Sequence, residues 1–231
     1  MSRTIGILQP GYLPWLGFFE QLYRSDIFVL YDDVQYDRGG WRNRNRIKTS
    51  HGVQWLTVPV RCRASDKMRV CDAVIDNGSG WRRKHSETIR QSYSGAPFFR
   101  NYWPIFEEAY DLQWDLLAEL NLFFITRIAA CLGLAHKEIV RSSSLEITGG
   151  RIERLISICR YFRADLFYEG AAGRNYIDDR QFAAGGIDVL YQDYRHPVYQ
   201  QLYGEFIPYL STIDLLFNHG EESGSILAVT G

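Results

Sequence analysis

The sequence predicts an α/β fold in which a mixed or mostly parallel sheet is flanked by helices, and three observations support this. Short apolar runs alternate with helix-like patterns along the chain. The first two runs and the helix between them form a Rossmann-like βαβ unit. The composition, 46% hydrophobic and 23% charged, is that of a globular protein. We expect residues 1–231 to form a single domain, with a weak subdivision near 141–150.

The βαβ unit begins with an apolar run at Thr4–Leu8, which a Gln-Pro-Gly turn closes. Residues 18–23 fit the start of a helix, and a second apolar run at 27–31 stops at a pair of aspartates. Strands joined through one helix in this way lie parallel and side by side. We therefore predict that strands 4–8 and 27–31 are parallel neighbours.

The remaining elements follow from the same patterns of periodicity and breakers. Further strands are predicted at 53–60, 165–168 and 187–191, with 69–75 as a weak partner of the first and 142–144 as the start of a connecting strand or loop. Helices are predicted at 81–91, 101–110, 114–132, 177–184 and 210–217, and another follows Gly149 and Gly150.

The overall charge gives no reason to expect a nucleic-acid or membrane-surface protein. Lys and Arg total 26 and Asp and Glu total 27, so the net charge is −1. The most apolar stretch, 114–134, carries four charged or amide side chains, which favours a core helix over a membrane span. Arg3 precedes a strand and not a signal peptide, and the four cysteines form no CxxC. We expect a cytoplasmic protein with no membrane insertion.

Polar side chains follow both early strands, where each strand ends. Gln9 lies beyond the first strand, and Asp32 and Asp33 lie beyond the second. Ligands of open parallel sheets bind beyond the carboxyl ends of the strands, so these residues are candidates for one shared crevice. The alternative is that Gln9 and Asp32 only cap turns.

Basic residues recur at every second position after Trp41, which is the period of a strand face. Guanidinium groups suit phosphate or carboxylate, so the row predicts an anion site. Asn43 and Asn45 are expected to face the other way. The alternative is a solvated edge strand, but Trp41 and Trp55 nearby favour a site. The row consists of Arg42, Arg44, Arg46 and Lys48.

A glycine-rich segment at 169–176 follows one predicted strand and precedes a helix. Such loops let backbone N–H groups approach an anion, so Arg174 and Tyr176 are candidate phosphate-binding residues. The segment has neither the GK[ST] ending of a P-loop nor the GxGxxG spacing. The alternative is a tight turn.

The histidines are scattered and show no metal-ligand spacing, so no metal site is predicted. His85 is the best candidate for a general base, although its place on a polar helix predicts that it is exposed. Asp214 lies on the apolar helix 210–217, where a partly buried carboxylate needs a partner. An arginine of the basic row is the expected partner.

Several segments together resemble the WbqC-like family, and the resemblance extends over nearly the whole chain. The N-terminal motifs are the most specific. The matching segments are ILQPGYLPWLG at 7–17, YDDVQY at 31–36, WRNRN at 41–45, WLTVPV at 55–60, PVYQ at 197–200 and LSTIDLLFN at 210–218.

The resemblance implies a bacterial protein of the O-antigen (lipopolysaccharide) or another surface-glycan pathway. It suggests a transferase that attaches an acyl or aminoacyl group to a nucleotide-linked amino sugar. The donor is open: a carrier protein, CoA or an aminoacyl-tRNA. Catalytic roles then fall to Asp32, His85 and Tyr12, with Asp33 and Asp214 behind them. The predicted substrate- and phosphate-binding residues are Gln9, Arg42, Asn43, Arg44, Arg174 and Tyr176.

Two alternatives remain from the sequence. The loop at 12–17 looks like the HIGH-type loop of nucleotidylyltransferases, and 173–176 looks like a phosphate loop of pantothenate-synthetase-like enzymes. An NTP would then bind with Mg²⁺, which Asp33 helps to hold, but Tyr12 and Gly17 stand where that motif has histidines. The other alternative is a non-catalytic ligand-binding or scaffold subunit, since no standard catalytic motif is present.

Overall fold

The computed structural model describes residues 2–62 and 67–229. Its centre is a five-stranded parallel sheet in the order β5-β2-β1-β6-β7. The strands are β1 Thr4–Leu8, β2 Ile27–Leu30, β5 Glu138–Arg141, β6 Leu166–Glu169 and β7 Asp188–Tyr191. A separate antiparallel hairpin consists of β3 Arg44–Thr49 and β4 Gly52–Thr57. The α/β fold and the parallel pairing of the first two strands are therefore confirmed.

Helices cover both faces of the sheet, because alternate strand residues point to opposite sides. Ile27 and Val29 join one apolar cluster with the helix after β5, and Phe28 and Leu30 join a larger one on the other face. The helices are α1 Leu16–Arg24, α2 Trp81–Tyr93, α3 Phe99–Asp111, α4 Leu117–Cys131, α5 Arg151–Tyr161, α6 Asp179–Ala183, α7 Ile213–His219 and α8 Ser223–Ala228.

The strand order places a topological switch between β1 and β6. From β1 the chain moves outward through β2 to β5, then crosses back over α5 to β6 and continues to β7. The loops after β1 and β6 therefore diverge at one edge of the sheet, which is where ligands of such sheets bind. The loop after β1 is 9–15, and the loop after β6 begins at Gly170.

The structure differs from the sequence-based expectations in one predicted strand and in two elements that were not predicted. Residues 69–75 form no strand: Val70–Asp72 is a 3-10 turn, and only the isolated bridge between Val60 and Ile75 links this segment to the end of the hairpin. The strand β5 was missed, and Ser142–Ser144 is a 3-10 turn after it. Helix α8 was also missed.

Candidate functional site

The outward face of the β3–β4 hairpin brings arginine and tryptophan side chains together. The Arg44 guanidinium carbon lies 4.6 Å from the ring centre of Trp55, and that of Arg46 lies 5.8 Å from it. Arg46 is also 5.9 Å from the ring of Trp41, which packs against Trp55 at 5.4 Å between centroids. Both tryptophans remain exposed, at 45% and 44%. We call these four residues the arginine face.

Hairpin geometry produces this face, since residues of alternating parity point in opposite directions. On the inward side, Asn43 Nδ2 donates to the Val58 carbonyl and Asn45 Nδ2 donates to the Leu13 carbonyl, each at 2.7 Å. Ile47, also inward, is completely buried in the main apolar cluster. The Asn45 bond fixes the hairpin to the loop that leaves the carboxyl end of β1.

Two members of the basic row are not on the arginine face, which corrects the expectation that all four share it. Arg42 precedes β3 and pairs with Asp37 at 3.4 Å, and burial lowers the pKa of its guanidinium. Lys48 is buried, and its Nζ donates to Gln201 Oε1 at 3.2 Å and to the Glu205 carbonyl at 2.5 Å. Lys48 is therefore bonded to acceptors about 150 residues away in sequence and is not available on the arginine face.

A cavity of about 360 Å³ adjoins the arginine face, lined by Trp15, Trp41, Arg46 and Tyr209. Arg46 Nη2 donates to the Tyr209 carbonyl at 3.0 Å, whereas its Nε is buried with no acceptor in 2–62 and 67–229. Trp15 packs on Tyr209 at 5.7 Å between centroids. A guanidinium that lies between aromatic walls is suited to an acceptor-rich ligand.

A second cavity, of about 260 Å³, lies at the other end of the row beside Arg44, with Tyr36, Arg38 and Asn43 in its wall. Within the described ranges, no carboxylate forms an ion pair with Arg44 or Arg46. Two guanidiniums without a carboxylate partner in the described residues therefore lie beside the two cavities. Their positive charge favours a negatively charged ligand on the arginine face.

The two aspartates after β2 have other partners and line neither cavity beside the arginine face. Asp32 is 1% exposed, and its carboxylate accepts from Arg141 Nε at 2.6 Å and from Ser143 N and Oγ at 3.0 Å each. Asp33 pairs with Arg154 and accepts from Ser142 Oγ at 2.5 Å. These bonds tie β2 to β5 and α5.

A second polar cluster lies at the switch point, where β1 and β6 end. Glu169 is buried and accepts from the Tyr176 hydroxyl at 3.0 Å, and Arg151 stacks 3.8 Å above the Tyr176 ring. Burial raises the pKa of the Glu169 carboxyl to about 7. Gln9 directly follows β1, which pairs with β6, the strand that ends at Glu169. The Gln9 Oε1 atom is buried and has no donor in the described residues.

Arg174, predicted to bind phosphate with Tyr176, is exposed and stacks on Tyr191 at 4.6 Å. The glycine-rich segment itself forms a 3-10 turn at Ala171–Asn175. The structure thus brings Tyr176 and Gln9 to the switch point, while Arg174 lies to one side against β7.

Tyr12, His85 and Tyr110 form a buried chain of polar groups. The Tyr12 hydroxyl lies 2.9 Å from His85 Nδ1 and 2.6 Å from the Tyr110 hydroxyl. His85 is buried and not exposed, because α2 packs inward at this position. Burial, together with the nearby Lys84 charge, lowers the pKa of its imidazole to about 4. His85 is therefore neutral at physiological pH.

Asp214 has a different partner from the expected arginine. It is completely buried on α7, and the Tyr93 hydroxyl donates to its Oδ1 at 2.9 Å. Burial raises the pKa of the Asp214 carboxyl to about 6. The basic row contributes to its surroundings only through the charge of Lys48.

Sequence reasoning missed Trp15 and Tyr209 as parts of the site. Trp15 lies in the loop after β1, and an aromatic residue beyond a first strand was a usable signal. Tyr209 has a φ of 59°, which is rare for a residue other than glycine, so its local sequence did not predict this backbone conformation.

Two findings bear on metals and membranes. Among residues 2–62 and 67–229, no group of three or more His, Cys, Asp or Glu side chains is arranged to hold a metal ion. In the same part of the chain, every helix is too short or too polar to cross a bilayer.

The strand order and the two-sided helix packing define a Rossmann-like α/β protein with an inserted hairpin. Residues 9–226 match the family model described as the WbqC-like protein family, and the chain belongs to that family. It is 36% identical over 230 residues to an uncharacterized protein of Mycobacterium tuberculosis strain H37Rv, and the match covers 97% of each chain. No solved structure gives a significant match.

Proposed function

We propose that this WbqC-like protein binds a nucleotide-linked amino sugar on the arginine face and transfers an acyl or aminoacyl group to the sugar amine, in the assembly of a surface glycan. The observation that carries the proposal is the pair Arg44 and Arg46, which lie on tryptophan rings without carboxylate partners in the described residues. Aromatic rings and guanidiniums in one place match a ligand with flat or ring-shaped ends and a charged centre.

The two cavities support a bipartite ligand. They have volumes of about 360 and 260 Å³ and adjoin Arg46 and Arg44 respectively. A nucleoside and a sugar are joined by a diphosphate, so each end can occupy one cavity while the diphosphate lies across the two guanidiniums. Stacking of a base on an exposed tryptophan contributes about 1–3 kcal/mol, which is enough to orient the ligand.

The proposed reaction is direct aminolysis. The amine nitrogen attacks the acyl carbonyl carbon, a C–N bond forms, and the C–S or C–O bond to the carrier breaks. The amine proton passes through a general base to the leaving sulfur or oxygen. No enzyme nucleophile is needed, which agrees with the lack of a recognised nucleophile motif in the sequence.

The identity of the base remains a prediction. Asp32 and His85 were predicted for this role, but Asp32 is held by Arg141 and His85 is bonded to Tyr12. Glu169, in the cluster at the switch point, has a pKa of about 7 that suits proton transfer at neutral pH, but it lines neither cavity beside the arginine face.

Product formation tests the proposal. The full chain is incubated with UDP- or dTDP-linked amino sugars and with acyl-CoA, acyl carrier protein or aminoacyl-tRNA, and the sugar is followed by mass spectrometry. We expect the mass of one acyl or aminoacyl group to be added with one donor class. Binding without product from any donor would favour a ligand-binding subunit, and Mg²⁺-dependent thermal stabilisation by NTPs alone would favour nucleotidyl transfer.

A further inference from the structure

The cavity of about 360 Å³ beside the arginine face has a mostly aromatic wall. Its lining residues are Trp15, Trp41, Tyr209 and Arg46, and we call it the aromatic cavity. The Trp41 and Tyr209 side chains are 45% and 47% exposed, which leaves ring surface open to a ligand. Aromatic rings bind other flat ring systems by stacking, and every nucleobase has a face that can stack in this way.

The cavity of about 260 Å³ has a more varied wall, and we call it the polar cavity. Besides Arg44, it is lined by the hydroxyl-bearing side chains of Tyr36 and Thr57. Burial raises the pKa of Tyr36 to about 12, so its phenol stays protonated at neutral pH and can donate a hydrogen bond. A sugar hydroxyl both donates and accepts, and hydroxyl side chains can serve it in both ways.

The hairpin places the two cavities beside different arginines. Arg44 pairs with Thr57 across the hairpin, whereas the guanidinium carbon of Arg46 lies 5.9 Å from the ring centre of Trp41. Trp55 contacts both arginines and does not distinguish the two ends. The Cα atoms of Arg44 and Arg46 are about 7 Å apart along β3, so one diphosphate can reach both side chains. Its two substituents then point toward different cavities.

The charge of the two walls permits a diphosphate at either end. Among the described residues, neither cavity is lined by Asp or Glu. The direction of a bound ligand therefore depends on the shape and polarity of its two ends. A nucleobase in the polar cavity would have only Tyr36 as an aromatic partner, and a sugar in the aromatic cavity would face three rings and one charged group.

We propose that a nucleotide-linked amino sugar lies in one direction on the arginine face, with its base in the aromatic cavity beside Arg46 and its sugar in the polar cavity beside Arg44. This inference rests on the proposed function and adds the direction of the ligand to it. Trp41 and Tyr209 then determine the specificity for the base, and Tyr36 and Thr57 determine that for the sugar. The acceptor amine lies at the Arg44 end, where the acyl donor has to approach.

The affinities of the full chain for UDP and for UDP-glucosamine, measured by calorimetry, test the direction. The two ligands differ by the sugar, so the ratio of their dissociation constants reports what the sugar contributes. Tyr209→Leu and Trp41→Leu each remove one exposed ring of the aromatic cavity. Each should weaken both ligands by the same factor, about five- to a hundredfold, the usual contribution of one stacked base.

Tyr36→Phe and Thr57→Val each remove one hydroxyl of the polar cavity without changing the charge. Each should weaken UDP-glucosamine about two- to tenfold, the order of one hydrogen bond, and leave the affinity for UDP unchanged. Tyr161 supplies matched controls, because it is 61% exposed on α5 and lines neither cavity. Tyr161→Leu and Tyr161→Phe should bind both ligands like the wild type.

The reverse pattern would overturn the inference: the ring variants weaken UDP-glucosamine alone, and the hydroxyl variants weaken both ligands. Hydroxyl variants that bind UDP-glucosamine as tightly as the wild type, or ring variants that bind UDP as tightly, would overturn it as well. In each of these cases the wild type still binds the ligand, so the proposed function stands. If the wild type binds neither UDP nor UDP-glucosamine, the proposed function fails and the direction fails with it.

Discussion

Replacing Asp32 by Asn separates a structural role from the catalytic role that the sequence suggested. The carboxylate is buried and accepts from Arg141 Nε and from the backbone N–H and the hydroxyl of Ser143. Breaking one side of a buried ion pair costs about 3–5 kcal/mol. Arg141 is 26% exposed at its side chain and keeps Glu119 as a partner at 2.5 Å, so the loss should be smaller, about 2–3 kcal/mol.

Urea unfolding followed by circular dichroism measures this loss. At a slope of about 2–3 kcal/mol per molar urea, the midpoint of Asp32→Asn should fall by roughly 1 M. Asp188→Asn is the control, because Asp188 is an exposed strand residue. In a double-mutant cycle with Arg141→Gln, the coupling free energy should be about 1–2 kcal/mol. If Asp32→Asn is as stable as the wild type and yet inactive, the structural reasoning is refuted.

Three further predictions concern buried groups. The pKa of Glu169 is about 7 in the fold and near 4.5 when unfolded, so the free energy of unfolding should fall as the pH rises between these values. In urea denaturation at about pH 5 and about pH 8, Glu169→Gln should remove that fall. If the variant loses as much stability between the two pH values as the wild type does, the prediction is contradicted. The His85 pKa of about 4 means that its NMR signals should not titrate near pH 6.5, where an ordinary histidine would. In Gly6→Ala, the added Cβ would lie 2.8 Å from Phe28 Cδ2, so the variant should lose roughly 1–3 kcal/mol, whereas Gly95→Ala, with open space around it, should be neutral.

The sheet could be predicted from the sequence because its signals are local. The strand β1 is a mostly apolar run followed by the turn Gln9-Pro10-Gly11, and β2 ends one residue before two aspartates. A single helix between them is enough to require parallel pairing. β5 was missed because the segment EIVR is charged at both ends and acquires its strand character only by pairing with β2.

The candidate site was only partly predictable, for the same reason. Period-two spacing correctly placed Arg44 and Arg46 on one face, because that rule needs only neighbouring residues. The positions of Asp32 and Lys48 depend on partners that lie more than 100 residues away, Arg141 and Gln201. No local pattern distinguishes a carboxylate that faces a crevice from one that a distant arginine holds in the interior.

The affinity of a nucleotide-linked amino sugar for the arginine face tests the central claim most directly. Isothermal titration calorimetry with a UDP-linked amino sugar should give binding that Arg44→Gln and Arg46→Gln each weaken by about ten- to a hundredfold, the equivalent of one charge-assisted contact to phosphate. Arg100→Gln, which removes one exposed positive charge from α3, should bind like the wild type. Equal affinity in all four proteins, or no heat from any nucleotide-linked sugar, would contradict the account.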